Sequence, residues 1–308
     1  MSKSRFIPIL EAVVAVVIWG GTFIATKLAL KEVSPATIVW MRFAMGVLIL
    51  GVAVILRRQF VLPKPNEWGY LALLGFLSVT FHQWLQATGL LTAQATTTAW
   101  IVASTPIFIA LLGWLILKEQ LGWLRSFGIG LAAVGVLLIV SKGRIKELLL
   151  GTEGTLGDLL VFISAINWAV VSILSRRELA RQPAARLMFF MMLLGWGFSN
   201  IWIFGFGPGI SEIQYLTFNG WIAILMLGIL GSGLAYIAWY DALQALPASQ
   251  LGVFLNIEPL VTAFLAALIL TESITIISII GGCIILAGVY LVNKSPSSAP
   301  AEPEISIS

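Results

Sequence analysis

Several hydrogen-bonding and ionisable side chains stand inside long apolar runs, where a charge costs about 2.5–3.5 kcal/mol on insertion scales. Ser78, His82 and Gln86 recur at i, i+4 and i+8, one stripe if the segment is helical, with Gln83 and Trp84 beside it. Ser232, Tyr236, Tyr240 and Gln244 repeat that spacing later in the chain, with Trp239 adjacent. Trp168 has Ser164 and Ser172 on its face and Asn167 next door, Trp19 stands at the matching place in the first apolar run, and Trp100 follows Thr96 and Thr97. Aromatic walls carrying a few polar groups suit an amino-acid-sized, partly apolar solute. His82, the only histidine, either lines a cavity, where it would bond a solute or carry a proton, or ties two helices together. Arg42 falls about two turns into its segment, within snorkelling reach of a surface. Glu258 sits mid-segment, half a turn after Asn256 and just before Pro259. Three roles stay open for it: an ion pair with Arg42, a proton carrier, or a seat for a substrate ammonium. Tyr240 and Gln244, near a segment end, fit an interfacial belt.

Nothing in this set is a catalytic constellation. One histidine with no acidic residue a turn away argues against a membrane-embedded acyl or glycosyl transferase. A single cysteine, Cys283, rules out an internal disulfide and a cysteine-rich metal site. Its apolar run marks it as a small packing residue. No cofactor or metal is expected.

The elements that position these residues follow from composition. Of 308 residues 59% are hydrophobic and 10% charged, and mean hydropathy is +0.99; soluble domains are about 25% charged. Basic residues never run beyond pairs such as Arg57-Arg58 and Arg176-Arg177, so nucleic acid is not an expected partner. A membrane span needs roughly 20 mainly apolar residues. Ten segments qualify, at about 8–28, 36–56, 68–90, 93–117, 122–141, 155–175, 185–205, 217–243, 247–270 and 274–292. Backbone groups in lipid must be satisfied within each segment, which makes them helices. The first is too long for a signal-peptide core and reads as a retained span. The Pro/Ser-rich residues 294–308 read as a disordered tail. With both termini cytoplasmic, twelve Lys and Arg flank the inner side and five the outer, the expected bias for a cell inner (plasma) membrane protein.

The chain also repeats itself. Shifted by 153 residues, Trp68, Gly75, Pro106, Glu119, Gly128 and Gly135 fall on Trp221, Gly228, Pro259, Glu272, Gly281 and Gly288. Five segments separate equivalent positions, an odd number, so the halves face opposite ways. The expected architecture is all-α, ten transmembrane helices as two inverted five-helix repeats, residues 1–147 and 148–293. Inverted repeats place a substrate site near the midplane between the halves. Pro106 and Pro259 are the expected bends of the two matched helices. Gly128/Gly135 and Gly281/Gly288 would let the fifth and tenth helices each approach a partner closely.

Trp19-Gly20 with Lys27, Pro35, Arg42-Phe43, and a doubled pattern complete this reading. The pattern runs Pro106, Leu117, Glu119, Gly128, Gly135, Val136, then Pro259, Leu270, Glu272, Gly281, Gly288, Val289. In these features the chain resembles the EamA-type ten-helix members of the drug/metabolite transporter superfamily, over nearly all of residues 8–293. The resemblance implies a metabolite exporter, several of its kind handling amino acids, with a central cavity alternately open to either side. The expected substrate-lining residues are Trp19, Ser78, His82, Gln83, Gln86, Trp100, Asn167, Trp168, Tyr236, Trp239 and Asn256. Arg42, Pro106, Glu258 and Pro259 are the expected gating or coupling residues. The partners are a small-molecule substrate and the bilayer, and the working unit is a monomer. Rival readings are uptake of a nucleotide-sugar or vitamin-like solute, which would want more basic residues in the cavity, and a lipid flippase of the same fold.

Overall fold

The computed structural model describes residues 3–117, 122–144, 155–246 and 254–294, and among these there is helix and turn but no strand. Helix α1 is Lys3–Ala29 and α2 is Pro35–Leu56. Helix α3, residues 68–89, joins Trp68–Gly75 and His82–Gly89 through a π-helical stretch, Phe76–Phe81. Helix α4, residues 95–117, is Ala95–Ala103 and Thr105–Leu117, broken at Ser104. Next come α5, Trp123–Val140, α6, Leu156–Leu179, and α7, Ala184–Gly205. Helix α8, residues 218–245, again carries a π stretch, Met226–Leu234, between Phe218–Leu225 and Ala235–Ala245. Helix α9 enters through a 3-10 turn, Leu255–Ile257, and continues as Glu258–Ile269; α10 is Ile276–Lys294.

Eight of these helices, α1, α2, α4 to α8 and α10, are long and apolar enough to cross a membrane. Helix α9 is shorter, and α3, which bears His82, Gln83 and Gln86, is not among the eight. The chain is therefore an all-helical, multi-pass membrane protein. Glu119, Pro247 and the tail beyond Lys294 lie outside the described residues.

Helix ends follow local chemistry. Ser34 caps α2, accepting from the Thr37 amide at 3.4 Å with Pro35 at the first helical position, where a missing N–H costs nothing. Thr217 caps α8 in the same way through Gly220. Thr271, at φ 55°, turns the chain after α9 so that the Glu272 amide reaches back to the Ala266 carbonyl at 3.2 Å. A β-branched residue in that region carries a conformational cost of roughly 1–2 kcal/mol, repaid by what Glu272 then does.

The first five helices interlock with the last five. Helix α1 packs on α8 and α9, α6 packs on α3 and α4, α2 packs on α7 and α8, and α3 packs on α7. Helix α5 lies along α10, backbone against backbone. A Cβ on Gly128 would come within 2.7 Å of the Gly288 carbonyl oxygen, and one on Gly135 within 2.7 Å of that of Gly281. Cys283, on the same helix, faces outward rather than packing; Gly281 and Gly282, the two residues before it, occupy the inward face. Trp68, Trp114, Trp123 and Trp221 face outward as expected of membrane anchors.

Candidate functional site

The centre of the bundle is organised by Arg42. Its guanidinium does not snorkel to a surface: it is only 7% exposed and turns inward. Nε donates to Ser232 Oγ at 3.0 Å on α8, and Nη1 donates to Gln83 Oε1 at 3.0 Å on α3. The Phe43 ring lies under the guanidinium at 5.1 Å, a cation–π contact. Nη2 points toward the backbone of Gly231, where an added Cβ would lie 3.6 Å from it, and bonds no described residue. The ion pair with Glu258, one of the three roles open for that residue, does not form; among the described residues the salt bridge is Arg57 with Asp241, at one end of the bundle. Arg42 instead solves its burial with two neutral acceptors, keeping its charge uncancelled.

Trp19 adjoins this cluster. Its indole Nε1 donates to the Gly231 carbonyl at 3.1 Å, which fixes the ring against Tyr236 (5.4 Å, edge-on) and Trp239 (5.2 Å). One residue on, Gly20 lies against α9: a Cβ there would be 2.9 Å from the Glu258 carbonyl oxygen. Thr262 Oγ1 is within 2.9 Å of the carbonyl oxygens of both Gly20 and Glu258 and holds the crossing. Glu258 thus stands where α9 crosses α1. It stands in the first turn of an α-helix, where the helix N-terminus favours a carboxylate. It is half-buried, and no described residue bonds its carboxylate. The Tyr236 phenol lies within electrostatic range of both Arg42 and Glu258.

A second wall comes from α3 and α6. The His82 ring lies tilted against Trp168 with centroids 4.9 Å apart, and its Nδ1 lies 3.1 Å from the Ser164 carbonyl oxygen. A carbonyl only accepts, so Nδ1 carries the proton and, in the neutral ring, Nε2 is left as an acceptor. Asn167 donates to the Leu77 carbonyl at 2.8 Å, an oxygen that also accepts the His82 amide at the end of the π stretch. Ser164 and Ser172 turn to their own helix.

The expected Ser78–His82–Gln86 stripe does not run as one line. The π stretch ends at Phe81, between Ser78 and His82, and its wider turn shifts Ser78 out of phase. Ser78 Oγ is buried without a described partner. Gln83 and Gln86 instead flank Arg42 around a void shared with Thr22 and Thr26. Its free volume is about 10 Å³, room for one water. Trp100 lies apart, packed on Gly282 in the cluster formed by α4, α5, α6 and α10. Tyr240 stacks on Tyr236 at 6.4 Å and is half-buried rather than belonging to a surface belt. Asn256 stands in the 3-10 turn just ahead of Glu258. Pro106 and Pro259 each occupy the second position of a helical piece that starts after a break, Thr105–Leu117 and Glu258–Ile269. Trp84 faces away from this cluster, into an apolar hollow of about 200 Å³ bounded also by Trp202 and Phe76.

Three carboxylates that sequence reasoning did not place in any site lie at the opposite end from Arg57. Glu212 accepts from the Ser34 amide at 2.8 Å and from Thr37 Oγ1 at 2.6 Å. Burial alone would raise its pKa, but these bonds, with one from the Ser34 side chain, hold its carboxyl below the ordinary value. Glu32 accepts from the Thr217 amide and Oγ1, both at 2.7 Å. Glu272 accepts from the amides of Ala95 and Thr96 at 2.8 and 3.1 Å and from Thr96 Oγ1 at 2.9 Å.

Residues 6–141 and 155–294 match a known family, the EamA-like transporter family. An uncharacterized transporter of Archaeoglobus fulgidus is 31% identical over 276 residues, 89% of this chain and 93% of that protein. The uncharacterized transporter YoaV of Bacillus subtilis is 21% identical, covering 89% of this chain and 92% of its own length. A chloroplastic WAT1-related protein of Arabidopsis thaliana is 25% identical across 89% of this chain and 66% of its own. A solved crystal structure shares the fold with a TM-score of 0.65 at 19% identity, over 94% of this chain and 96% of that one.

Proposed function

The chain belongs to the EamA-like transporter family, a membrane transporter and not an enzyme, and on that premise we propose that it exports amino acids or closely related metabolites. The observation that carries the substrate class is the pair of ionisable side chains without a counter-ion, Arg42 on α2 and Glu258 where α9 crosses α1. A zwitterion answers both. Its carboxylate takes Arg42 Nη2, its ammonium takes Glu258, and its side chain lies along Trp19, Tyr236 and Trp239. His82, with Nε2 free to accept, and Trp168 form the facing wall. A nucleotide-sugar would need further cations beside Arg42, and none faces it among the described residues. Buried polar groups left unpaired reject analogues lacking the matching group by large factors, so one guanidinium and one carboxylate suffice for selectivity.

Movement, in this reading, is alternating access between two inverted five-helix halves, residues 1–147 and 148–293. Support comes from the doubled family match and from matched irregularities: π stretches in α3 and α8, and helix breaks before Pro106 and Pro259. The packing pairs also exchange under a swap of halves, α1 on α8 becoming α6 on α3, and α1 on α9 becoming α6 on α4. Broken helices at matching places mark binding sites in inverted-repeat carriers. The bias of Lys and Arg supports a plasma-membrane orientation with both termini in the cytoplasm.

Counterflow in proteoliposomes with labelled amino acids and nucleosides, with and without a pH gradient, is the test. Exchange of at least one amino acid is expected, and no exchange of any of them would sink the substrate reading. A second role rests on the same unpartnered Glu258, that of proton carrier. A flux indifferent to the gradient would remove it.

A further inference from the structure

The three carboxylates at the Glu272 end share a geometry that packing alone does not require. Each belongs to one half of the chain and accepts hydrogen bonds from the opening turn of a helix in the other half. Glu32, after α1, holds Thr217 at the start of α8. Glu212, before α8, holds Ser34 and Thr37 at the start of α2. Glu272, after α9, holds Ala95 and Thr96 at the start of α4. A fourth cross-half bond, from the Gly157 amide to Thr92 Oγ1 at 3.1 Å, joins α6 to the end of α3. Helix N-termini present unsatisfied N–H groups and a partial positive charge, and a carboxylate answers both.

What lies beneath these bonds is dry. Leu28 and Leu30 pack at once on Ile38 and Ile224 and on Phe23 and Ala266, joining both halves. Between this apolar layer and Arg42 there is space for only about one water. The Thr271 backbone, held at φ 55°, aims Glu272 at its target. The Arg57 end is fastened differently, by one ion pair between side chains that are 33% and 26% exposed, by Arg186 on the Val61 and Leu62 carbonyls and by the Tyr70 hydroxyl on the Leu174 carbonyl at 2.7 Å. Exposed pairs of that kind contribute little.

We infer that Glu32, Glu212 and Glu272 are the closing contacts of a gate at the Glu272 end, and that this structure shows that gate shut. Opening requires the two halves to part there, so all three carboxylates release helix N-termini together. The inference rests on the alternating-access reading above. It implies that the carboxylates govern the rate at which the Arg42 site is reached from that end while leaving the site itself unaltered.

The test uses accessibility and needs no substrate, so its failure and a failure of the transport reading are separable. In the full chain Cys283→Ser removes the one cysteine, and Thr26→Cys places a thiol at the void beneath the latches. A charged, membrane-impermeant maleimide is applied from the Glu272 side of reconstituted protein. Slow labelling is expected in this background, and at least about tenfold faster labelling with Glu212→Gln or Glu272→Gln, the equivalent of one lost charge-assisted bond. Thr37→Val and Thr217→Val, which remove donors and keep the carboxylates, should also speed it. Melting curves of each variant in detergent separate gate opening from unfolding. Fast labelling of the folded Thr26→Cys parent, or unchanged labelling in all four folded variants, overturns the gate.

Discussion

Replacing Arg42 by lysine separates charge from geometry at the centre of the bundle. The guanidinium places Nε and Nη1 on two different helices at once, each 3.0 Å from its acceptor. One ammonium nitrogen cannot occupy both positions, so Ser232 or Gln83 loses a charge-assisted bond worth about 1.5–3 kcal/mol. The site is 7% exposed, and bulk water does not replace the loss. Nη2 disappears as well, and with it the proposed seat of the substrate carboxylate. If that seat is real, KM for a transported amino acid rises by about 10–150-fold, the same energy read as affinity. The matching amine, which lacks the carboxylate, should bind the wild type weakly and the variant no worse. Counterflow with the acid and the amine, run beside thermal unfolding in detergent, gives both readouts. Gln83→Ala alone and combined with Arg42→Lys completes a cycle whose effects should not add. An unchanged KM for the amino acid in folded Arg42→Lys protein would refute the assignment of Arg42 to the substrate.

Three further outcomes follow from the geometry. Gly135→Leu should destabilise the protein by about 1–3 kcal/mol through overpacking, because its side chain meets the Gly281 carbonyl and Ile285, whereas Gly130→Leu on the same helix has open space and should be neutral; unfolding midpoints decide. Glu212 accepts its bonds as the carboxylate and its pKa is lowered from 4.5, so that latch is fully present above that value and is lost only as pH falls through the lower one. Labelling of the Thr26→Cys protein should therefore be flat from about pH 6 to 8 and rise only in acid; a rise already at pH 6 would contradict the assignment. Pro106→Ala and Pro259→Ala should both slow transport in proteoliposomes if the paired helix breaks are the moving parts, and unchanged rates in both would make those breaks static bends.

Helix positions were legible because lipid leaves a long apolar run no other choice. That α5 and α10 each approach a neighbour closely was legible too, since glycine at i and i+7 has one strong meaning in a membrane, but not that each is the other's neighbour. Arg42 was found but its partner was not. Electrostatic reasoning favours the opposite charge, whereas the fold supplied Ser232 and Gln83, neutral groups that satisfy a guanidinium without cancelling it. The π stretches escaped notice because an extra residue in a turn leaves no mark in hydropathy, and they moved Ser78 out of its expected stripe. Trp100 resembled a cavity wall by composition, yet Gly282 offered it a packing slot on α10, a contact across 182 positions that spacing cannot show. The carboxylate latches were hidden for the same reason. Ser34-Pro35 and Thr217 announce helix starts, but nothing local says which distant glutamate will cap them.

The close seam between α5 and α10 carries a consequence for how the chain is made. Helix α5 finds its main neighbour in α10 and few contacts within its own half, and about 140 residues separate the end of one from the start of the other. At roughly 5–20 residues per second of synthesis, α5 waits on the order of 7–30 s in lipid with its glycine face bare. During that interval the nascent first half is an unfinished surface, open to pairing with a second nascent copy. A chain stalled or truncated before α10 should accumulate as such pairs and be cleared by quality-control proteases, while the complete chain, once its last helix arrives, closes the seam on itself.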